Sequence, residues 1–127
     1  MTSGAIQKCL AAIFLLLGGW CLTMPALVES LVFRPEFQHG TATTKILLGC
    51  FGAQAMLAGL LIYTTRFEPR SFLIFGVFAS VPFFIFNYYF YFVEKIFTDW
   101  MLLDFVGNIA ILALCILGYR KSRSIAD

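Results

Sequence analysis

Four apolar runs constrain this chain more strongly than any other feature of its sequence. They cover approximately residues 6–26, 44–65, 71–93 and 100–119. A helix needs roughly 20 residues to cross about 30 Å of hydrocarbon, so each run is long enough to span a bilayer. The sequence therefore predicts an all-α fold, a membrane four-helix bundle with four transmembrane helices and short loops. We expect residues 1–127 to form a single integral membrane domain in contact with the lipid bilayer.

The charge content supports this prediction and excludes one class of function. Charged residues make up 13% of the chain and hydrophobic residues 61%, whereas a soluble domain carries about 25% charged residues. The nine Lys and Arg residues are spread over several short polar segments. Because they form no basic stripe that would neutralise phosphates, we expect no nucleic-acid binding.

The first apolar run has two interpretations. Lys8 followed by apolar residues resembles the start of a secretory signal. However, the apolar character continues past Trp20 to Val28, and no A-x-A cleavage site follows. We therefore expect an uncleaved transmembrane helix.

Cysteine and histidine give little support to a redox or metal site. All four cysteines lie inside apolar runs, which predicts small buried hydrophobic side chains rather than a disulfide scaffold. They are Cys9, Cys21, Cys50 and Cys115. The single histidine, His39, excludes bis-histidine haem ligation within one chain, and there is no C-x-x-C motif. We expect neither a metal nor a cofactor.

Small residues predict how the helices pack. The second run is rich in them, which allows close backbone approach and favours a central packing helix that also mediates oligomerisation. They are Gly49, Gly52, Ala53, Ala55, Ala58 and Gly59. The third run has Gly76 and Ser80, then Pro82 and the aromatic segment PFFIFNYYFYF. We expect a kink at Pro82 and a wider bundle beyond it.

The few polar residues inside the apolar runs are the candidate site. Asp104 and Asn108 lie one turn apart on the fourth run, and the rise per residue places Asn87 of the third run at the same depth. The candidates for a pocket that binds a lipophilic small molecule are Asn87, Tyr88, Tyr91, Asp104, Asn108 and Gln54, with Phe83, Phe84 and Phe86 as further wall residues. Gln54 is expected to form the floor. The alternative is that these polar groups satisfy one another and fix the helix register.

The layout of the chain resembles that of a known group of proteins. Its features are the small-residue-rich second helix, the turn from Arg66 to Arg70, and Asp104 followed four residues later by Asn108. Four spans with these features are similar to the small DoxX-like and related uncharacterised four-helix membrane proteins. The resemblance implies a membrane location and this fold, and it points to an accessory role.

Two hypotheses for the function follow. The first is a non-catalytic accessory or assembly component of a larger membrane complex or pathway, oligomerising through the second helix. The second is a small intramembrane isomerase or cyclase acting on a sterol- or terpenoid-like substrate. In that hypothesis Asp104 is the catalytic acid, and the ring faces of Tyr88, Tyr91 and the phenylalanines stabilise developing positive charge. A channel or transporter fits less well, because four helices offer few polar wall residues.

The distribution of positive charge predicts the topology. Six Lys and Arg residues lie on the side of the termini and three on the other side, so we expect both termini in the cytoplasm. A membrane-impermeant thiol reagent should then label a cysteine placed at Gln38 from outside, and one placed at Ser124 only after permeabilisation. Labelling of both positions from the same side would contradict the four-span topology.

Overall fold

The computed structural model describes residues 1–126, with side chains to residue 124, and this part of the chain contains five α-helices and no β-strand. Four helices are long and apolar enough to cross a membrane. They are α1 (Ser3–Thr23), α3 (Ala42–Thr64), α4 (Pro69–Tyr88) and α5 (Met101–Ala126), and a short helix α2 (Pro25–Val32) follows α1. The predicted all-α fold with four transmembrane helices is thereby confirmed, and the protein is a multi-pass membrane protein.

Local capping determines where the helices begin and end. The hydroxyls of Thr2 and Thr41 accept hydrogen bonds from the backbone at the first turns of α1 and α3. Pro25 and Pro69 occupy the first positions of α2 and α4, where proline loses no helical hydrogen bond. The first span therefore ends at Thr23 rather than at residue 26. Helix α4, the third membrane span, continues through Pro82 and is followed by a π-helical turn, Tyr89–Val93.

The four long helices form two pairs. α1 packs along α3 and α4 along α5, and α1 also contacts α5. Gly18 and Gly52 allow the first pair to approach closely, since a Cβ atom added to Gly52 would lie 2.5 Å from the Leu22 nitrogen and 2.6 Å from the Gly18 carbonyl oxygen. The buried small residues of α3, which are Gly52, Ala55 and Gly59, therefore pack inside the protomer. The central helix is α1 rather than α3, because α1 contacts both α3 and α5, whereas α3 packs mainly against α1.

The end of the bundle that carries the termini contains the main apolar core. Its buried residues come from all four long helices, and they are Ile6, Leu10, Ala11, Ile62, Phe72, Ile111 and Cys115. The buried Gln7 amide closes the end of α3. It donates to the carbonyls of Ile62 and Thr65 at 2.5 and 2.6 Å, and it accepts from the Phe67 nitrogen at 3.2 Å. The carbonyls at the end of α3, which have no helical partner, are thus satisfied by α1.

At the opposite end, residues 24–41 and 94–100 form what we call the cap. Phe33 and Phe97 pair as an isolated antiparallel bridge, and backbone bonds from Arg34 to Ile96 and from Thr98 to Val32 hold the two segments together. Phe97 is buried, and the centroid of its ring lies 5.5 to 6.0 Å from those of three other rings, Phe33, Phe86 and Phe90. Aromatic side chains therefore fill this end of the bundle.

The cysteines are only partly as the sequence predicted. Cys21 and Cys115 are buried, but Cys9 and Cys50 are exposed. The prediction was wrong for these two, because in a membrane protein an apolar run has outward-facing positions that contact lipid. Cys9 and Cys50 occupy such positions on α1 and α3.

The close approach of α1 and α3 gives a prediction about stability. Gly52→Ala should lower the thermal unfolding temperature in detergent, because overpacking of this kind costs about 1 to 3 kcal/mol. Gly49→Ala is the matched control on the same helix, since a Cβ there meets nothing within 4 Å. It should leave the unfolding temperature equal or higher. Equal destabilisation by both substitutions would contradict the packing.

Candidate functional site

Three polar side chains meet between α4 and α5, near the cap. The side-chain amide of Asn87 donates to Asp104 Oδ2 at 2.8 Å. The amide of Asn108 donates to the same oxygen at 3.0 Å and to the Asp104 backbone carbonyl at 2.9 Å. We call Asn87, Asp104 and Asn108 the polar cluster. Their meeting agrees with the depth predicted from the sequence.

Helix periodicity brings these groups together. Asp104 and Asn108 are four residues apart, so both lie on one face of α5. Ser80 and Asn87 are seven residues apart on α4, and the Ser80 hydroxyl donates to the Asn108 carbonyl at 3.4 Å. Asn87, Asn108 and Ser80 are buried, whereas Asp104 is half-buried. The polar stripe of α4 thus faces the polar stripe of α5.

Hydrogen bonding offsets the cost of placing Asp104 in the membrane. An Asp at the centre of a transmembrane helix costs about 2.5 to 3.5 kcal/mol on insertion scales. Asp104 lies about 5 Å along the axis from the start of α5, where the cost is smaller. Each hydrogen bond to a charged group contributes about 1.5 to 3 kcal/mol. Two amide donors on one carboxylate oxygen are therefore enough to offset its burial.

One atom of the polar cluster has no partner. Asn87 is 3% exposed, and its Oδ1 is the only buried side-chain nitrogen or oxygen among the described residues that makes no hydrogen bond. A buried acceptor left in this way carries a desolvation penalty of about 1 to 3 kcal/mol. The cluster can therefore accept one further hydrogen bond, at Asn87.

An aromatic pair also joins α4 to α5, at the residue that follows Asp104. Phe84 of α4 and Phe105 of α5 form an edge-to-face pair with ring centroids 5.4 Å apart. A cavity of about 70 Å³ between the same helices lies further toward the termini, around Gly76 and Cys115. A larger open depression of about 260 Å³ lies on the surface at Asp99, Trp100 and Leu103. No residue of the polar cluster lines either of these two.

The remaining candidates lie elsewhere. The Tyr91 hydroxyl donates to Asp99 of the cap at 2.7 Å. Tyr88 is exposed and its ring packs on Phe92. Gln54 is exposed on α3, a helix that packs mainly against α1, so it provides no floor to the cluster. Depth along a helix was predicted well, but depth alone does not say which way a side chain faces.

Glu29 is a buried acid whose role the sequence analysis missed. It lies on α2 and is 4% exposed. Its Oε1 accepts hydrogen bonds from the backbone nitrogens of His39 and Gly40 at 2.9 and 3.0 Å. Gly40 has a φ of +58°, which favours glycine. The carboxylate thus fixes the turn that leads into α3, a contact between residues ten and eleven positions apart that no local pattern indicates.

Comparisons with family models, with curated proteins and with solved structures give no match. The resemblance to DoxX-like proteins therefore remains a prediction. Within the described residues, no three His, Cys, Asp or Glu side chains group together in a way that would hold a metal ion.

Proposed function

We propose that this protein is a non-catalytic accessory or assembly component of a membrane complex. The observation that supports the proposal is the hydrogen bonding of the Asp104 carboxylate. Its Oδ2 accepts from two side-chain amides, one on its own helix and one on α4. An intramembrane acid bound in this way ties two helices in register and does not need a substrate to satisfy it.

The packing around Asp104 supports the same proposal. A general acid must come within about 2.6 to 3.2 Å of the atom that it protonates. The edge-to-face pair of Phe84 and Phe105 lies beside the polar cluster, and the two cavities described above are lined by other residues. Neither of these two cavities is therefore a binding site built around the acid.

An accessory role also fits the outer surface. Large apolar side chains are exposed along every long helix, among them Leu16 on α1, Leu61 on α3, Phe78 on α4 and Leu103 on α5. Such a surface contacts lipid and offers faces for lateral association with other membrane proteins. The resemblance to DoxX-like proteins and cytoplasmic termini are part of the same proposal, which the layout and the charge distribution of the chain support.

One observation favours the alternative function. The unpartnered Oδ1 of Asn87 would accept a hydrogen bond from the polar end of a lipophilic small molecule. In that case Asp104 would act as the acid of an isomerase or cyclase on a sterol- or terpenoid-like substrate. The two functions make opposite predictions for one substitution.

Asp104→Asn should leave the thermal unfolding temperature in detergent equal or higher, because it removes a charge from the membrane and keeps an acceptor for both amides. Asp104→Leu should lower the unfolding temperature, because it leaves the buried Asn87 amide unpaired, at a cost of about 1 to 3 kcal/mol, and leaves the Asn108 amide only its bond to the backbone carbonyl of residue 104. Leu103→Ala is the matched control at an exposed neighbouring position and should have a small effect.

Function is read as rescue of the phenotype of cells that lack the protein. The accessory proposal predicts rescue by Asp104→Asn, since the tie between the helices persists. A folded Asp104→Asn protein that fails to rescue would support the enzyme, because an amide cannot replace an acid in proton transfer.

A further inference from the structure

A polar side chain faces outward from the middle of a transmembrane helix. Gln54 is exposed on α3, about 18 Å along the helix axis from its first residue at 1.5 Å per residue. The hydroxyls of Thr64 and Thr65, near the end of this helix, donate to its own carbonyls. The Gln54 amide has no such partner among the described residues. Lipid chains offer none, and an unpaired amide in hydrocarbon is costly.

The residues around Gln54 form a regular seam. Successive positions are spaced by three, four, three and four residues, which is the repeat of a helix that packs along a parallel neighbour. The seam residues are Leu47, Cys50, Gln54, Leu57 and Leu61. All five are exposed. Gln54 lies at the centre of the seam.

The two faces of α3 have different partners. Gly52, Ala55 and Gly59 are buried, and the glycines of this set pack on α1. The seam lies on the other side of the helix. The seam is thus available to a second chain.

We propose that the seam of α3 binds the seam of a second copy of this protein, with the two Gln54 side chains hydrogen-bonded to each other. An amide carries an acceptor and two donors, so two glutamines satisfy one another. Copies inserted in the same orientation are related by a two-fold axis along the membrane normal, which places each residue near the axis opposite its own counterpart. Cys50, one turn from Gln54, then meets the Cys50 of the other copy.

This inference rests on the proposed accessory function for its biological meaning, because it names a partner through which such a component assembles. The dimer itself is tested independently of that function. A monomeric protein whose Asp104→Asn variant rescues would leave the accessory proposal standing and refute the dimer. A dimer whose folded Asp104→Asn variant fails to rescue would do the reverse.

The native cysteines provide the test. Membranes containing the full-length protein are oxidised with copper phenanthroline and run on a non-reducing gel, and the mass of the purified protein is measured in lipid nanodiscs. We expect a dimeric mass and a disulfide-linked dimer that a reducing agent reverses. Cys50→Ser should abolish the cross-link. Cys9→Ser, which removes the other exposed cysteine, should leave the cross-link at the wild-type level.

Gln54 gives the second arm of the test. Gln54→Leu should weaken association by about threefold to tenfold, the range of one or two average interhelical hydrogen bonds. Leu73→Ala, at an exposed position of α4, is the control and should leave association unchanged. A monomeric mass, or cross-linking that persists in Cys50→Ser, would overturn the proposal, as would cross-linking of Cys50 to a different protein in place of a second copy.

Discussion

The carboxylate of Asp104 must find hydrogen-bond donors inside a membrane, and the way it does so joins the two halves of the α4–α5 pair. Asn87 comes from α4, and Asn108 lies one turn further along α5. Because hydrocarbon offers no alternative donors, a slip of one helix along the other would break the bond between Asn87 and Asp104 and leave the Asn87 amide unpaired. The polar cluster therefore fixes register at the cap end of this pair.

The α1–α3 pair is held in a different way. Gly18 and Gly52 bring the two backbones into contact, so van der Waals packing replaces hydrogen bonding there. Polar side chains act mainly at the ends of the helices, where Gln7 closes α3 and Glu29 fixes the turn before it. The protein thus combines a tightly packed apolar pair with a pair that is tied by polar side chains, and α1 connects them by contacting both α3 and α5.

The sequence predicts the helices well because length and hydropathy are local properties. It also predicts the level at which Asn87, Asp104 and Asn108 meet, since the rise per residue is fixed. It fails for Gln54, Cys9 and Cys50, because hydropathy does not distinguish a lipid-facing position from a buried one in a membrane helix. It also fails for Gln7 and Glu29, whose partners lie on other elements. Neighbouring helices decide which way a side chain faces, and a single sequence does not contain that information.

The central claim is that Asp104 and Asn87 stabilise the protein by binding each other. A double-mutant cycle measures this directly, with Asn87→Ala, Asp104→Ala and the double variant compared by their free energies of unfolding in detergent. The account predicts a coupling energy of at least about 0.6 kcal/mol, the average for interhelical hydrogen bonds in membranes. Effects of the two substitutions that simply add would contradict it.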